Sequence, residues 1–213
     1  DGTMQREGFF KEGLPDGVWT YWNKKGEKDF DFDFGTGLEH IALEDLVERE
    51  ATFFKLGDDS PFTGIITQEN PETDYLFLGR TKNGKKDGQW VKWFPSGKDV
   101  PEIILVEVPA PEPEVPWSGG KQEQGGFKEG QKHGKWTEWY DNEHIKSHGE
   151  YKDGIMDGYW TFYHRNGIKE KEGSLEKGNA NGLWTFYDNE SKKIQEGSFT
   201  NGIKEGQWVA WFD

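Results

Sequence analysis

At 213 residues, with 40 Asp and Glu against 26 Lys and Arg, the chain carries a formal charge of −14. That field repels nucleic-acid phosphates and anionic lipid, and no local basic patch reverses it, so neither is an expected partner. There is no cysteine, hence no disulfide, thiolate metal site or cysteine nucleophile, and no apolar run long enough for a membrane-spanning helix.

The absence of cysteine suits a cytosolic or an exported protein. The first residue, Asp1, points to a cleaved leader or a trimmed N-terminus, which favours export to a periplasm or cell surface. Apolar residues make up only 32% of the chain, yet there are 11 Trp, 15 Phe and 7 Tyr beside 29 Gly. Buried surface must therefore come from rings more than from Leu, Ile and Val, which predicts a thin sheet instead of a thick core.

In chain order, the first element is GFFKEGLPDGVW, Gly8 to Trp19. Next, DFDFDF from Asp29 to Phe34 alternates with period two and predicts a half-buried strand. The following GTGLEHIALEDLVERE loses the pattern; Leu38, Ile41 and Leu46 fit one short helix near 38–48. After PFTGII comes GRTKNGKKDGQW from Gly79. An apolar run from Ile103 to Val108 then enters Pro109, Pro111, Pro113 and Pro116, a spacing that favours polyproline II and forbids a central strand. Four further units start at Gly125, Gly149, Gly173 and Gly197: GGFKEGQKHGKW, GEYKDGIMDGYW, GSLEKGNANGLW and GSFTNGIKEGQW.

All six units carry Gly at positions one, six and ten and Trp at position twelve, and the last four repeat every 24 residues. Gly64 in PFTGII stands 24 before Gly88, with Ile66 in place of the Trp, and the two longer intervals, 47 from Gly17 to Gly64 and 46 from Gly88 to Gly134, are each close to two periods, so degenerate copies are expected to fill them. Gly13, Gly84, Gly130, Gly154, Gly178 and Gly202 supply the positive φ of a tight turn, and Gly26, Gly97 and Gly167 mark a second turn. Turns at both ends of each strand predict an antiparallel meander. The period-two rule puts Trp19, Trp90, Trp136, Trp160, Trp184 and Trp208 on one face. The opposite face takes Thr20, Val91, Thr137, Thr161, Thr185 and Val209, with Trp22, Trp93, Trp139, Tyr163, Tyr187 and Trp211 two residues on.

The unit G-x-[FYL]-x-x-G-x-x-x-G-x-W-x-x-[WY] resembles the bacterial variant of the MORN repeat. The stretch EDLVEREATFFKLGDDSPFTG, followed by KNGKKDGQWVKWFPSGK, is similar to the YwqK-family toxin–antitoxin antitoxins. The resemblance implies a meander of β-hairpins, a role in protein contacts and an antitoxin-like activity. A repeat before PFTG and the Pro-rich insert depart from that pattern.

Little in the sequence points to chemistry. His133, His144 and His148 cluster in the sequence, but His144 and His148 flank a turn and, four residues apart in extended chain, lie too far from each other to share a metal. Asp29, Asp31 and Asp33 open like a calcium loop, but Phe34 and His40 stand where Gly and Glu are required, so they read as a solvated strand face. There is no phosphate loop and no nucleophile elbow, and no metal or cofactor is expected.

The Trp ladder reads first as core, and alternatively as exposed rings that stack on sugars or on choline-type cations. The expectation is an all-β, elongated meander of hairpins in a single twisted sheet. Its parts are an array at 1–97 with an irregular segment at 35–50, an insert or hinge at 98–124, and an array at 125–213. Its function is expected to be non-enzymatic binding of a protein partner as a scaffold, its last strand edge open to a partner strand. Glycan or cell-wall binding and an antitoxin or immunity role are the alternatives.

Overall fold

The computed structural model describes residues 6–22, 25–68, 77–93 and 120–211. Its unit is a two-stranded hairpin closed by a two-residue loop. At Asp153-Gly154 the loop residues have φ of 51° and 81°, a doubly left-handed turn whose twist matches that of the flanking strands. Glu129 and Lys177 take the same left-handed position before their glycines, although neither residue type favours it.

The N-terminal strands β1 (Arg6–Lys11), β2 (Leu14–Trp22) and β3 (Lys28–Asp33) form a three-stranded antiparallel sheet. The alternating DFDFDF run is β3 together with Phe34, and its three Phe side chains are all buried. There follow β4 (His40–Ala42), a 3-10 turn (Leu43–Asp45), β5 (Leu46–Arg49) and β6 (Thr52–Lys55).

The remaining strands are β7 (Gly64–Gln68), β8 (Phe77–Lys82), β9 (Lys85–Trp93), β10 (Lys121–Lys128), β11 (Gln131–Trp139) and β12 (Ile145–Lys152). After them come β13 (Ile155–Tyr163), β14 (Lys169–Glu176), β15 (Asn179–Tyr187), β16 (Lys193–Thr200) and β17 (Ile203–Ala210). From β7 to β17 each strand pairs antiparallel with the next, a long sheet of consecutive hairpins in chain order that does not close into a barrel. β9 and β10 are direct neighbours, so the sheet runs on across the point where the Pro-rich segment leaves and returns. Most of that segment, with the Ser96-Gly97 turn, lies outside the described residues.

Three features differ from the sequence expectation. No helix forms at 38–48; the segment is β4, the 3-10 turn and β5, because Ile41 and Leu46 are drawn onto the sheet by Phe53, Phe62, Ile66 and Trp90. The sheet is not single: β1–β3 and the β5–β6 hairpin form ladders separate from the twelve-stranded sheet, although the Phe53 N–H on β6 donates to the Gly84 carbonyl at the β8–β9 turn. The meander also has one exception, since β4 pairs parallel with β7 at its edge.

The N-terminal part is therefore thicker than a bare ribbon. Trp19, Phe30, Phe32 and Phe34 pack on Ile65, Leu78 and Val91, so the small sheet covers one face of β7–β9. Phe53 and Phe62, with Ile41, Leu43 and Leu46 beside them, cover the other face over Ile66 and Trp90. Lys121 on β10 ties the two sheets together. Its ammonium bonds Asp29 at 2.6 Å and lies 4.5 Å from the centre of the Phe30 ring, and burial pushes its pKa down.

Candidate interaction surface

On one face of the long sheet, tryptophan and glycine alternate strand by strand. Trp90 is opposite Gly125, which is opposite Trp136, and the order continues through Trp160, Gly173, Trp184 and Gly197 to Trp208. Each indole lies against the α-carbon of the glycine in its own hairpin. A β-carbon at Gly125, Gly149, Gly173 or Gly197 would fall 2.2 to 2.4 Å from the Trp Cδ2 atom. The glycine at position one of each unit therefore sits mid-strand, where only hydrogen leaves room for the ring.

The ladder is core. Trp19, Trp90, Trp136, Trp160 and Trp184 are all at most 5% exposed, and their Nε1–H groups donate to the backbone carbonyls of Phe9, Arg80, Gly126, Glu150 and Ser174. Trp208 is half-buried, and its Nε1 has no partner among the described residues. Aromatic rings of the glycine strands wedge edge-on between indoles, as Tyr151 does between Trp136 and Trp160. Lysines from the same sheet occupy the ring faces: Lys132 sits 3.9 Å above Trp136 and Lys204 3.9 Å above Trp208.

The turn glycines Gly13, Gly84, Gly130, Gly154, Gly178 and Gly202 all have positive φ. Four of them also fasten one hairpin to the one before. Gly130, Gly154, Gly178 and Gly202 donate their N–H groups to the carbonyls of Lys86, Lys132, Met156 and Ala180. At the opposite turns, Tyr140 Oη donates to the Tyr163 carbonyl, and Asn142 and Asn166 reach the carbonyls of Arg165 and Asn189.

The second face carries the rings that remain accessible. One row runs Thr137, His148, Thr161, Glu172, Thr185, Glu196, Val209, and beside it lie Trp139, Ile145, Tyr163, Lys169, Tyr187 and Lys193, with Trp211 next in sequence beyond β17. Tyr159, Leu183 and Trp211 are 56%, 57% and 43% exposed. The polar groups between the rings are held rigid. Glu172 accepts from Lys169 at 2.8 Å and from Tyr187 Oη at 2.8 Å, and Glu196 accepts from Lys193 at 2.7 Å and Thr185 at 3.1 Å.

Sequence reasoning missed this clamp, although a signal was present. Lys-x-x-Glu-Gly recurs 24 residues apart at Lys169–Glu172 and Lys193–Glu196, and Lys121 reaches Gln124 in the same way. Lys28–Asp31 repeats it on β3, where Thr20 also donates to Asp31 at 2.8 Å. Phe32, 24 residues after Gly8, stands opposite Trp19 in the place of the glycine, so β3 begins one of the degenerate copies.

The remaining candidates are separately partnered. Asp29 binds Lys121, Asp31 binds Lys28, and Asp33 accepts the Gly35 N–H, so the three do not converge. His144 Nδ1 meets the Arg165 carbonyl, His148 lies against the Tyr163 ring and His133 approaches Asp153. Among the described residues no three His, Asp or Glu side chains group to hold a metal, and no helix is long and apolar enough to cross a membrane. A shallow depression of about 410 Å³ near the turns of β11–β13 is lined by Glu138, Asp141, Lys146 and Arg165, whose charges already pair Lys146 with Glu138 and Arg165 with Asp141.

The fold and its surfaces define a β-hairpin repeat protein. Residues 132–153, which span most of β11 and β12, match the MORN repeat variant MORN_2, a repeat-type protein-interaction module. No curated protein matches the chain.

Proposed function

We propose that this chain is a non-enzymatic scaffold that binds a protein partner through the accessible face of β11–β17, as a subunit of a larger assembly. One observation carries the reading: the indole ladder is spent on the core, while the opposite face presents Tyr159, Tyr163, Leu183, Tyr187 and Trp211 among fixed Lys and Glu groups. Rigid aromatic and aliphatic side chains rimmed by charge suit a protein contact. The MORN repeat at 132–153 supports the same class of role. An antitoxin or immunity activity, as the YwqK-family resemblance implies, is a special case of it.

Glycan or choline binding through the ladder is the weaker reading, since the ring faces there are buried or capped by the protein's own lysines. A photo-crosslinking residue at Leu183, compared with one at Gly17 on β2, tests the proposal in extracts of the native source. The expected result is one discrete adduct from position 183, lost in a Tyr159→Ala/Tyr187→Ala variant. Tryptophan fluorescence that responds to choline or glycans, with no adduct, sinks it.

A further inference from the structure

The Lys-x-x-Glu pairs of the accessible face are closed within their own strands. Lys169 and Lys193 bond Glu172 and Glu196, lie over the rings of Tyr187 and Trp211, and are 40% and 41% exposed. Lys121 holds the equivalent place on β10, two periods of 24 before Lys169. It donates to Gln124 at 2.9 Å and lies 5.6 Å from the centre of the Trp139 ring, yet its side chain is only 10% exposed. One functional group separates the two cases: an amide accepts the hydrogen bond but leaves the charge of the ammonium unbalanced. The balancing carboxylate comes from the other sheet, as Asp29 of β3 at 2.6 Å.

Gln124 also stands at a boundary in the row that crosses this face. From strand to strand the row is Leu78, Val91, Gln124, Thr137, His148 and Thr161. Leu78 and Val91 are buried under the small sheet, in the cluster that holds Trp19, Phe30, Phe32 and Phe34. Beyond Gln124 the row turns polar and only partly buried at Thr137 and His148. The cluster draws its array residues from β7, β8 and β9, so at β10 the margin of the small sheet is held by Lys121 through Asp29 and the Phe30 ring.

We propose that Lys121 and Gln124 form an open clamp that latches the small sheet onto the array, and that the amide at position 124 is what keeps the clamp open to Asp29. A carboxylate there would close the pair within β10, as Glu172 and Glu196 do on β14 and β16, and would compete with Asp29 for one ammonium. The small sheet is then a cover fastened at its margin, and lifting it uncovers Leu78 and Val91 and lengthens the face that β11–β17 present. The latch stands whether or not that face binds a partner.

Hydrogen exchange of the full chain and four variants, read on peptides by mass spectrometry, tests this. Undocked, the small sheet loses the apolar partners of its buried face, so its amides report the latch, while those of β13–β16 report that the array is folded. Gln124→Glu is expected to speed exchange in β2 and β3 by about tenfold or more and to leave β13–β16 at wild-type rates. Gln124→Met removes the acceptor without supplying an acid, and is expected to match wild type in both regions. Asp29→Asn is expected to act on β2 and β3 as Gln124→Glu does, and the double variant to exchange no faster than either single one, because both changes break the same pair. Wild-type rates in β2 and β3 of Gln124→Glu overturn the proposal. So does Gln124→Met opening the small sheet as far as Gln124→Glu, which removes the acid as the cause, or effects that multiply in the double variant, which show that Gln124 and Asp29 act separately.

Discussion

Trp160 lies against the α-carbon of Gly149, so closely that a β-carbon there would be 2.3 Å from Cδ2 and 2.4 Å from Cε2 of the indole. The ring is fully buried and fixed by its Nε1 bond to the Glu150 carbonyl, so it has no free direction in which to retreat. Gly149→Ala is therefore expected to cost about 1–3 kcal/mol by overpacking and to shift the tryptophan emission. Gly158→Ala has open space but a φ of +78°, and is expected to cost about 1–2 kcal/mol with the emission unchanged. Urea unfolding followed by fluorescence separates the two mechanisms; equal spectral shifts in both variants argue against ring contact as the reason for the glycine.

The indole N–H is the second tie of the ladder. Trp160→Phe removes the bond at 3.1 Å and leaves a carbonyl without its donor, an expected loss of about 1–3 kcal/mol. Trp208→Phe forfeits no such bond, because its Nε1 has no partner among the described residues, and is expected to cost less. The midpoints of urea unfolding give the order directly, and a Trp208 variant that is the weaker of the two contradicts it.

Turn chemistry offers a stabilising change. Lys177 holds a φ of 50° ahead of Gly178, whereas Asn83 and Asn201 fill the same position in other units with a residue suited to it. Lys177→Asn is expected to raise stability by about 0.5–1 kcal/mol, by relieving the left-handed strain. An unchanged or lower thermal midpoint shows that Lys177 contributes something there that the turn geometry does not explain.

The hairpins, both turns and the two faces of each Trp strand were legible in the sequence because they follow from local rules: glycine at left-handed φ, and period two along a strand. What was not legible depends on strands far apart in the chain. The role of Gly149 is set by Trp160 on the facing strand, and DFDFDF hid a repeat because Phe32 replaces its glycine. Leu38, Ile41 and Leu46 had spacing that suits a helix, but Leu38 packs on the cluster that holds Trp19, Ile65 and Leu78, and Ile41 pairs with Ile66 on β7, which draws the segment into extended chain. The Lys–Glu–Tyr clamp at Lys169, Glu172 and Tyr187 was present as a repeated motif. Only the cross-strand register brings its three groups together.

That clamp has a pH signature. Burial first, and then the hydrogen bond to Glu172, push the Tyr187 phenol up from 10.0 to about 12. A folded-state pKa above the unfolded one means that the contribution to stability is full below about pH 10 and is lost as pH rises through about 12. Glu172 runs the other way: burial pushes its carboxyl up, but hydrogen bonds from Lys169, Tyr187 and Tyr159 outweigh this and hold it below its ordinary range. Its contribution is present above that range and fades as pH falls through the lowered value. Thermal midpoints of wild type and Tyr187→Phe are expected to converge between pH 10 and 12, and parallel curves there contradict the clamp.

The tryptophans on one face are the protein's interior, while Tyr159 and Trp211 on the other meet solvent. Hydroxyl-radical footprinting of the native chain, read residue by residue by mass spectrometry, reports on both faces at once. Rapid oxidation of Tyr159 and Trp211 and strong protection of Trp136, Trp160 and Trp184 are expected. Oxidation of Trp160 as fast as that of Trp211 contradicts this, and returns the ladder to the surface as a ligand-binding feature.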